Sequence, residues 1–181
     1  MPARESPVVK ATVFIATSID GFIARENGDI DWLPGAVEPH GFEELFASVD
    51  AVVIGRKTFE TVLKFGSWGY GQKPVVVLSS RAAELKAPVQ AICDFLNGEP
   101  QEVVTQLAHR GFKHVWLDGG LTIQRFLAAG LIQRMIITRI PVLLGSGIPL
   151  FGPLPHDVKL QHVSTRSLPS GIVQSEYAAL E

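Results

Sequence analysis

Cysteine is almost missing from this chain: Cys93 is the single one in 181 residues. That excludes a disulfide scaffold and any multi-cysteine zinc site. Charge is scarce as well. Sixteen basic and 18 acidic residues make up 19% of the chain, against ~25% in an average soluble protein. A nucleic-acid binder carries a basic excess, and the net charge here is -2. Long apolar runs are also lacking. The longest candidate, Val8 to Ile19, is interrupted by Lys10, Thr12, Thr17 and Ser18, and a bilayer span needs ~20 predominantly apolar residues. The start, Met1 to Ser6, holds Arg4 and Glu5 and lacks the layout of a secretory signal. The expected location is therefore the cytoplasm, with no membrane or nucleic-acid partner. His40, His109, His114, His156 and His162 show no metal-ligand spacing, so no metal is expected. There is no Walker motif, and no G-x-G-x-x-G opens the first strand.

What is present is apolar content, at 46%, with 17 glycines and 12 prolines. A chain of this length buries roughly 70% of its unfolded surface, enough for one sizeable core. One domain over residues 1–181 is expected, of α/β or α+β class. Val8 to Thr17 is apolar on both faces and β-branched, as a central strand would be. The loop Ser18 to Pro39 follows, with Asp20-Gly21, Asn27-Gly28 and Pro34-Gly35 as turn pairs. Phe42, Leu45 and Phe46 mark a short helix by spacing. Strands are expected at Ala51–Ile54, Pro74–Leu78, Val89–Ile92, His114–Leu117 and Gln133–Ile140. Helices are expected at Arg56–Leu63, from Pro100 to a stop at Gly111, and over Thr122–Ala129. The tail reads as two strands, about Val158–Leu168 and Ile172–Leu180, joined as a hairpin. Alternating strands and helices imply a mostly parallel, covered sheet.

Three strand ends carry similar chemistry. One runs Ile54-Gly55-Arg56-Lys57-Thr58, one Leu78-Ser79-Ser80-Arg81, one Leu117-Asp118-Gly119-Gly120-Leu121-Thr122. Ligands of open α/β sheets bind beyond the carboxyl ends of the strands. Glycine there admits a close backbone approach, and a helix N-terminus offers free N–H groups. Arg56, Lys57 and Arg81 add cations, and arginine's planar fork suits a phosphate monoester. The Thr58, Ser79, Ser80 and Thr122 hydroxyls can donate to phosphate oxygens. Each piece alone reads equally as a plain turn. Their coincidence at three strand ends points to a doubly phosphorylated nucleotide.

Thr12 to Ala24 resembles the first strand and loop of dihydrofolate reductase-like proteins. Val53 to Phe59, Val77 to Arg81 and Asp118 to Leu127 resemble their cofactor elements. Pro141-Val142-Leu143-Leu144-Gly145-Ser146-Gly147-Ile148-Pro149-Leu150-Phe151 resembles the branch containing the C-terminal reductase domain of the bifunctional riboflavin-biosynthesis enzyme. The resemblance covers residues 8 to 180. It implies a single-domain, three-layer α/β fold: a mixed, mostly parallel sheet of about eight strands, flanking helices and a C-terminal antiparallel hairpin. It also implies NADPH as hydride donor. Arg56, Lys57 and Thr58 would then meet the 2′-phosphate side, and Ser79, Ser80 and Arg81 the adenosine half. Gly55 would stand beside them. Gly119, Gly120, Thr122 and Ile123 would line the diphosphate, with Ala16 and Ile23 near the nicotinamide.

The nearest activity so implied is reduction of 5-amino-6-(5-phosphoribosylamino)uracil. The alternatives are a dihydrofolate reductase acting on a pterin, or a non-catalytic NADPH-binding sensor. Trp32 resembles the tryptophan after the mobile loop of folate reductases. Asp31, Glu38, Glu43 and Glu44 are candidate carboxylates for proton relay, and Asp20 is either a catalytic carboxylate or a turn residue. The riboflavin branch places an arginine-bearing motif after the second strand. Residues Thr58 to Gly71 contain no arginine. The stretches Gln133–Ile140 and Pro141–Phe151 are apolar for surface elements, and the resemblance to a branch in which such regions often form homodimers implies a homodimer.

Overall fold

The computed structural model describes residues 9–35, 40–81 and 92–180. Among these residues eight strands form one sheet, in the order β5-β4-β3-β6-β1-β7-β10-β9. β1 (Lys10–Thr17) is central, parallel to β6 (His114–Asp118) on one side and β7 (Arg134–Arg139) on the other. β3 (Ala51–Gly55) pairs parallel with both β6 and β4 (Val75–Leu78). β10 (Val173–Ala179) runs antiparallel between β7 and the edge strand β9 (Leu160–Ser167). The sheet is therefore mostly parallel, with the expected antiparallel hairpin at one edge.

Because β1, β3 and β6 are covered on both faces, their inner runs Val13–Ala16, Ala51–Ile54 and Val115–Leu117 are apolar without alternation. One face packs on α3 (Pro100–His109) and α4 (Gly120–Ala128), burying Val103, Leu107, Ile123 and Phe126 with Val13 and Leu117. The other packs on α1 (Phe42–Ser48) and α2 (Arg56–Lys64), where Leu45, Phe59, Tyr70 and Trp116 meet Phe14 and Ile136. This is the three-layer arrangement implied by the sequence. α3 starts with Pro100 at its first turn and a reciprocal capping box between Glu99 and Glu102. Gly111 and Gly130, with φ of 85° and 68°, supply the left-handed residues just beyond α3 and α4.

Two expectations need correction, and a third falls mostly outside the described residues. The described strand beside β4 is β5 (Cys93–Leu96), which begins just after the strand expected at Val89–Ile92. Residues 89–91 lie outside the described residues, and Ile92 is a turn residue whose carbonyl accepts from Val75, so ladder pairing runs forward from there. Within the expected loop Ser18–Pro39, β2 (Phe22–Ala24) pairs with β8 (Ile148–Pro149) in a separate two-stranded sheet. Elements of three and two residues are too short to show a period. Finally, β7 is not a surface strand. It lies between β1 and β10, so its apolar residues serve the core and give no argument for a dimer. Leu143, Ile148 and Phe151 of the following stretch are exposed.

Candidate active site

The sheet order makes neighbours of β4, β3, β6 and β1. Their carboxyl ends present Ser79, Gly55, Asp118 and Thr17 along one rim. The three strand ends that looked alike in sequence are adjacent in space.

Close packing explains the glycines. A Cβ on Gly119 would stand 2.4 Å from Thr58 Oγ1, and Gly119 itself has φ +94°. One on Gly120 would meet Ile23 Cδ1 at 2.9 Å, and one on Gly55 would meet Thr122 Oγ1 at 2.9 Å. Residues 55, 58, 119, 120, 122 and 23 thus form one compact junction. No side chain caps the start of α2 or of α4, so their leading N–H groups remain available to an anion. The Gly55-to-Thr58 and Gly119-to-Thr122 segments fit the phosphates of a dinucleotide on that ground.

Arg56 reaches across the rim. It donates to Glu60 at 2.7 Å and to the Arg81 carbonyl at 2.7 Å. Ser79 Oγ donates to that same carbonyl and accepts from the Arg81 amide. Arg56, Ser79 and Arg81 are therefore one hydrogen-bonded group; Lys57, Ser80 and Arg81 are exposed. The Ile123 side chain is fully buried in the core, and its N–H is spent on the Gly119 carbonyl. Ala16 stands near the end of β1, opposite Thr138 of β7.

The residues expected to be catalytic are dispersed. Asp20 accepts from Ser18 Oγ at 2.6 Å, Gly145 N at 2.8 Å and Leu144 N at 3.2 Å. The Ser18 hydrogen bond, against a desolvation cost and aided by the two amides, holds its carboxyl below the usual carboxylate value. Asp20 thereby latches the 18–21 turn to the 141–147 stretch. Asp20→Ala should speed amide exchange at Leu144 and Gly145 by about tenfold or more while distant amides keep their rates. Unchanged exchange at both amides would refute the latch. Asp31 is exposed and ion-paired to Arg25 at 2.6 Å. Trp32 Nε1 is buried without a hydrogen-bond partner, an open donor of the kind that calls for a ligand or water. Glu38 lies outside the described residues. The register of α1 directs Glu44, not Glu43, into a cavity of about 470 Å³.

That cavity lies on the face covered by α1, walled by Phe14, Leu45 and Ile136 and edged by β9 and β10. Asp118 lies on the same face. It is the second residue after Trp116 along β6, and one position beyond the Val13–Leu117 pair, beside Phe14. Desolvation raises its pKa to about 6, against opposing hydrogen bonds from Gly119 N and the Tyr70 hydroxyl. Tyr70 is itself buried and held protonated, by desolvation first and then by Asp118. Sequence reading took Asp118 only as the lead-in to two glycines. The signal was a carboxylate placed directly after the apolar run Val115-Trp116-Leu117.

The RibD C-terminal domain model matches residues 9–174. The chain belongs to the RibD C-terminal domain family. The Bacillus subtilis protein YwjB is 32% identical over 161 residues, spanning 87% of this chain and 91% of YwjB. The crystal structure of a putative riboflavin biosynthesis protein from Shewanella sp. PV-4 superposes with a TM-score of 0.88 at 37% identity, covering 96% of this chain and all of that one. Dihydrofolate reductase from Enterococcus faecalis, complexed with NADP(H), shares the fold at 15% identity, with a TM-score of 0.67 over 95% of this RibD C-terminal domain chain and 97% of the reductase. The dihydrofolate reductase-like fold and membership of the RibD C-terminal domain family are thereby both established.

Proposed function

We propose that this chain is an NADPH-dependent reductase of a nitrogen heterocycle, with reduction of 5-amino-6-(5-phosphoribosylamino)uracil as its nearest activity. The observation that carries the reading is the convergence of two uncapped helix starts with Arg56, Lys57 and Arg81 on one rim. Lys57 and Arg81 receive the 2′-phosphate side, Arg56 and Ser79 set that rim's shape, and Thr58 joins it to the Gly119 turn. The α4 start at Gly120 to Thr122 receives the diphosphate, and Ala16 and Ile23 border the nicotinamide. NADPH bound there would supply the hydride.

The chain's own contribution on the substrate side is a proton. Asp118, with its pKa near 6, holds that proton in the range where a general acid works best at neutral pH. Glu44 and the Trp32 N–H orient the ring. The E. faecalis folate reductase shares the fold, which keeps reduction of a pterin as the second reading.

Fluorescence titration with NADPH and NADH, followed by steady-state assays on both substrates, tests this. NADPH should bind at least about tenfold tighter than NADH, and Lys57→Ala or Arg81→Ala should remove most of that preference. Equal affinities would overturn the phosphate roles. Turnover of dihydrofolate alone would replace the first substrate, and tight NADPH binding with no oxidation by either substrate would mark a sensor. We also propose a homodimer built on the exposed apolar residues of Pro141–Phe151 and the open edge of β9. A single monomeric species in sedimentation at micromolar concentration would remove it.

A further inference from the structure

Among the described residues five arginines stand against a carboxylate: Arg25, Arg56, Arg110, Arg125 and Arg134. Arg166 of β9 does not, although it lines the cavity beside α1. Its Nε and Nη2 both donate to one neutral oxygen, Gln174 Oε1, at 2.9 and 2.7 Å. Gln174 is buried, and its amide nitrogen donates to Thr138 Oγ1 and to the His40 carbonyl, each at 2.9 Å. The opposite amide orientation would turn oxygen against the His40 carbonyl oxygen and nitrogen against a cation. The network therefore fixes the amide, and the amide fixes the guanidinium. A neutral acceptor orients Arg166 without cancelling its charge.

The second arginine of the cavity shows the contrast. Arg134 is held by both oxygens of Glu176, at 2.6 and 3.0 Å, and is neutralised there. Glu44 shares the Arg166 corner: a Cβ on Gly41 would be 3.2 Å from Arg166 Nη2 and 4.0 Å from Glu44 Oε2. Yet the two form no ion pair. The corner thus presents an oriented cation with its remaining nitrogen unpaired, and a carboxylate able to take an amino group.

We propose that Arg166 anchors an anionic group, a carboxylate or a phosphate, of the molecule that this cavity receives. The anion enters from the β9 side, over Gly41, and not from the segment after β3, where Thr58 to Gly71 hold no arginine. This rests on the cavity being the substrate side of the proposed reductase, but its test needs no cofactor and no turnover.

The experiment is calorimetric titration of the full chain with inorganic phosphate, benzoate and the neutral isostere benzamide, on wild type, Arg166→Gln and Glu44→Gln. Saturable binding is expected for phosphate or benzoate, with an anion preferred over benzamide by about tenfold or more. Phosphate alone assigns a phosphate, and benzoate preferred over benzamide assigns a carboxylate. Arg166→Gln should abolish the preference. Glu44→Gln should tighten the anion severalfold by removing a like charge, and it decides the matter if Arg166→Gln does not fold. Absence of binding by either anion, equal binding of benzoate and benzamide without phosphate binding, an unchanged Arg166→Gln, or no tightening in Glu44→Gln overturns the proposal. NADPH titration of the same variants separates the two readings. Loss of NADPH binding by the wild type would fell the reductase and leave the anion site standing.

Discussion

Asp118→Asn is expected to lower kcat/KM by about 10²–10⁴-fold, the usual contribution of a positioned general acid. It should also remove the decline in rate as pH rises through the group's pKa of about 6. Asparagine keeps the side chain's size and can still accept the Gly119 N–H, now made at 2.8 Å, so loss of rate would report the missing proton. The same substitution has a second signature. The Asp118 pKa stands at about 6 in the folded chain against an ordinary value of 3.8. Between those pH values the folded state binds more protons than the unfolded one, so stability falls as pH rises and levels off above pH ~6. At about 1.4 kcal/mol per unit the wild type forfeits about 3 kcal/mol across that window. Asp118→Asn has no such slope. Denaturant unfolding from pH 4 to pH 7 should show the variant gaining on the wild type by about that amount. Parallel stability curves would show that burial does not perturb this carboxylate.

Gly119→Ala should be the most damaging small substitution at the rim. Two penalties act together. A φ of +94° strains any side chain, and the new Cβ would lie 2.4 Å from Thr58 Oγ1. Strain at such a position costs about 1–3 kcal/mol, and the clash with the Thr58 side chain adds to it. Unfolding should show a loss of about 2–4 kcal/mol, and NADPH affinity should drop because α4 begins at this turn. Adding Thr58→Ala separates the penalties. The double variant should regain the part due to the clash and keep the part due to φ. Full recovery would mean that backbone strain at residue 119 is negligible, and no recovery that the clash is.

The frame of the molecule was legible because its strands are covered on both sides and its turns are marked. Val52 to Ile54 and Val75 to Val77 read as buried strands because nothing polar interrupts them. Gly111 and Gly130 ended helices where a left-handed residue was required. The rim proposed for the cofactor was legible for a related reason: glycine and basic residues recur at strand ends. The substrate side was not legible. Gln174 and the His40 carbonyl are 134 residues apart in the chain, and Asp118 is tuned by Tyr70 from a loop between α2 and β4. No local pattern encodes such pairings. Asp20 was ambiguous for the opposite reason. Ser18 two residues away supplies a local partner, but Leu144 and Gly145, which give the carboxylate its latching role, are remote.

The sheet order also bears on how the chain assembles during synthesis. β1 is made first, yet its partners are β6 and β7, which begin at His114 and Arg134. An apolar central strand must therefore wait, unpaired on both edges, until residues 114–139 have left the ribosome. Pairings so distant pay loop-closure entropy before any contact returns it, so folding of this topology should be slow and β1 the segment most prone to stray association. β3 and β4, joined through α2, can pair long before that. The nascent chain is thus expected to expose its future centre while one side of its sheet is already taking shape.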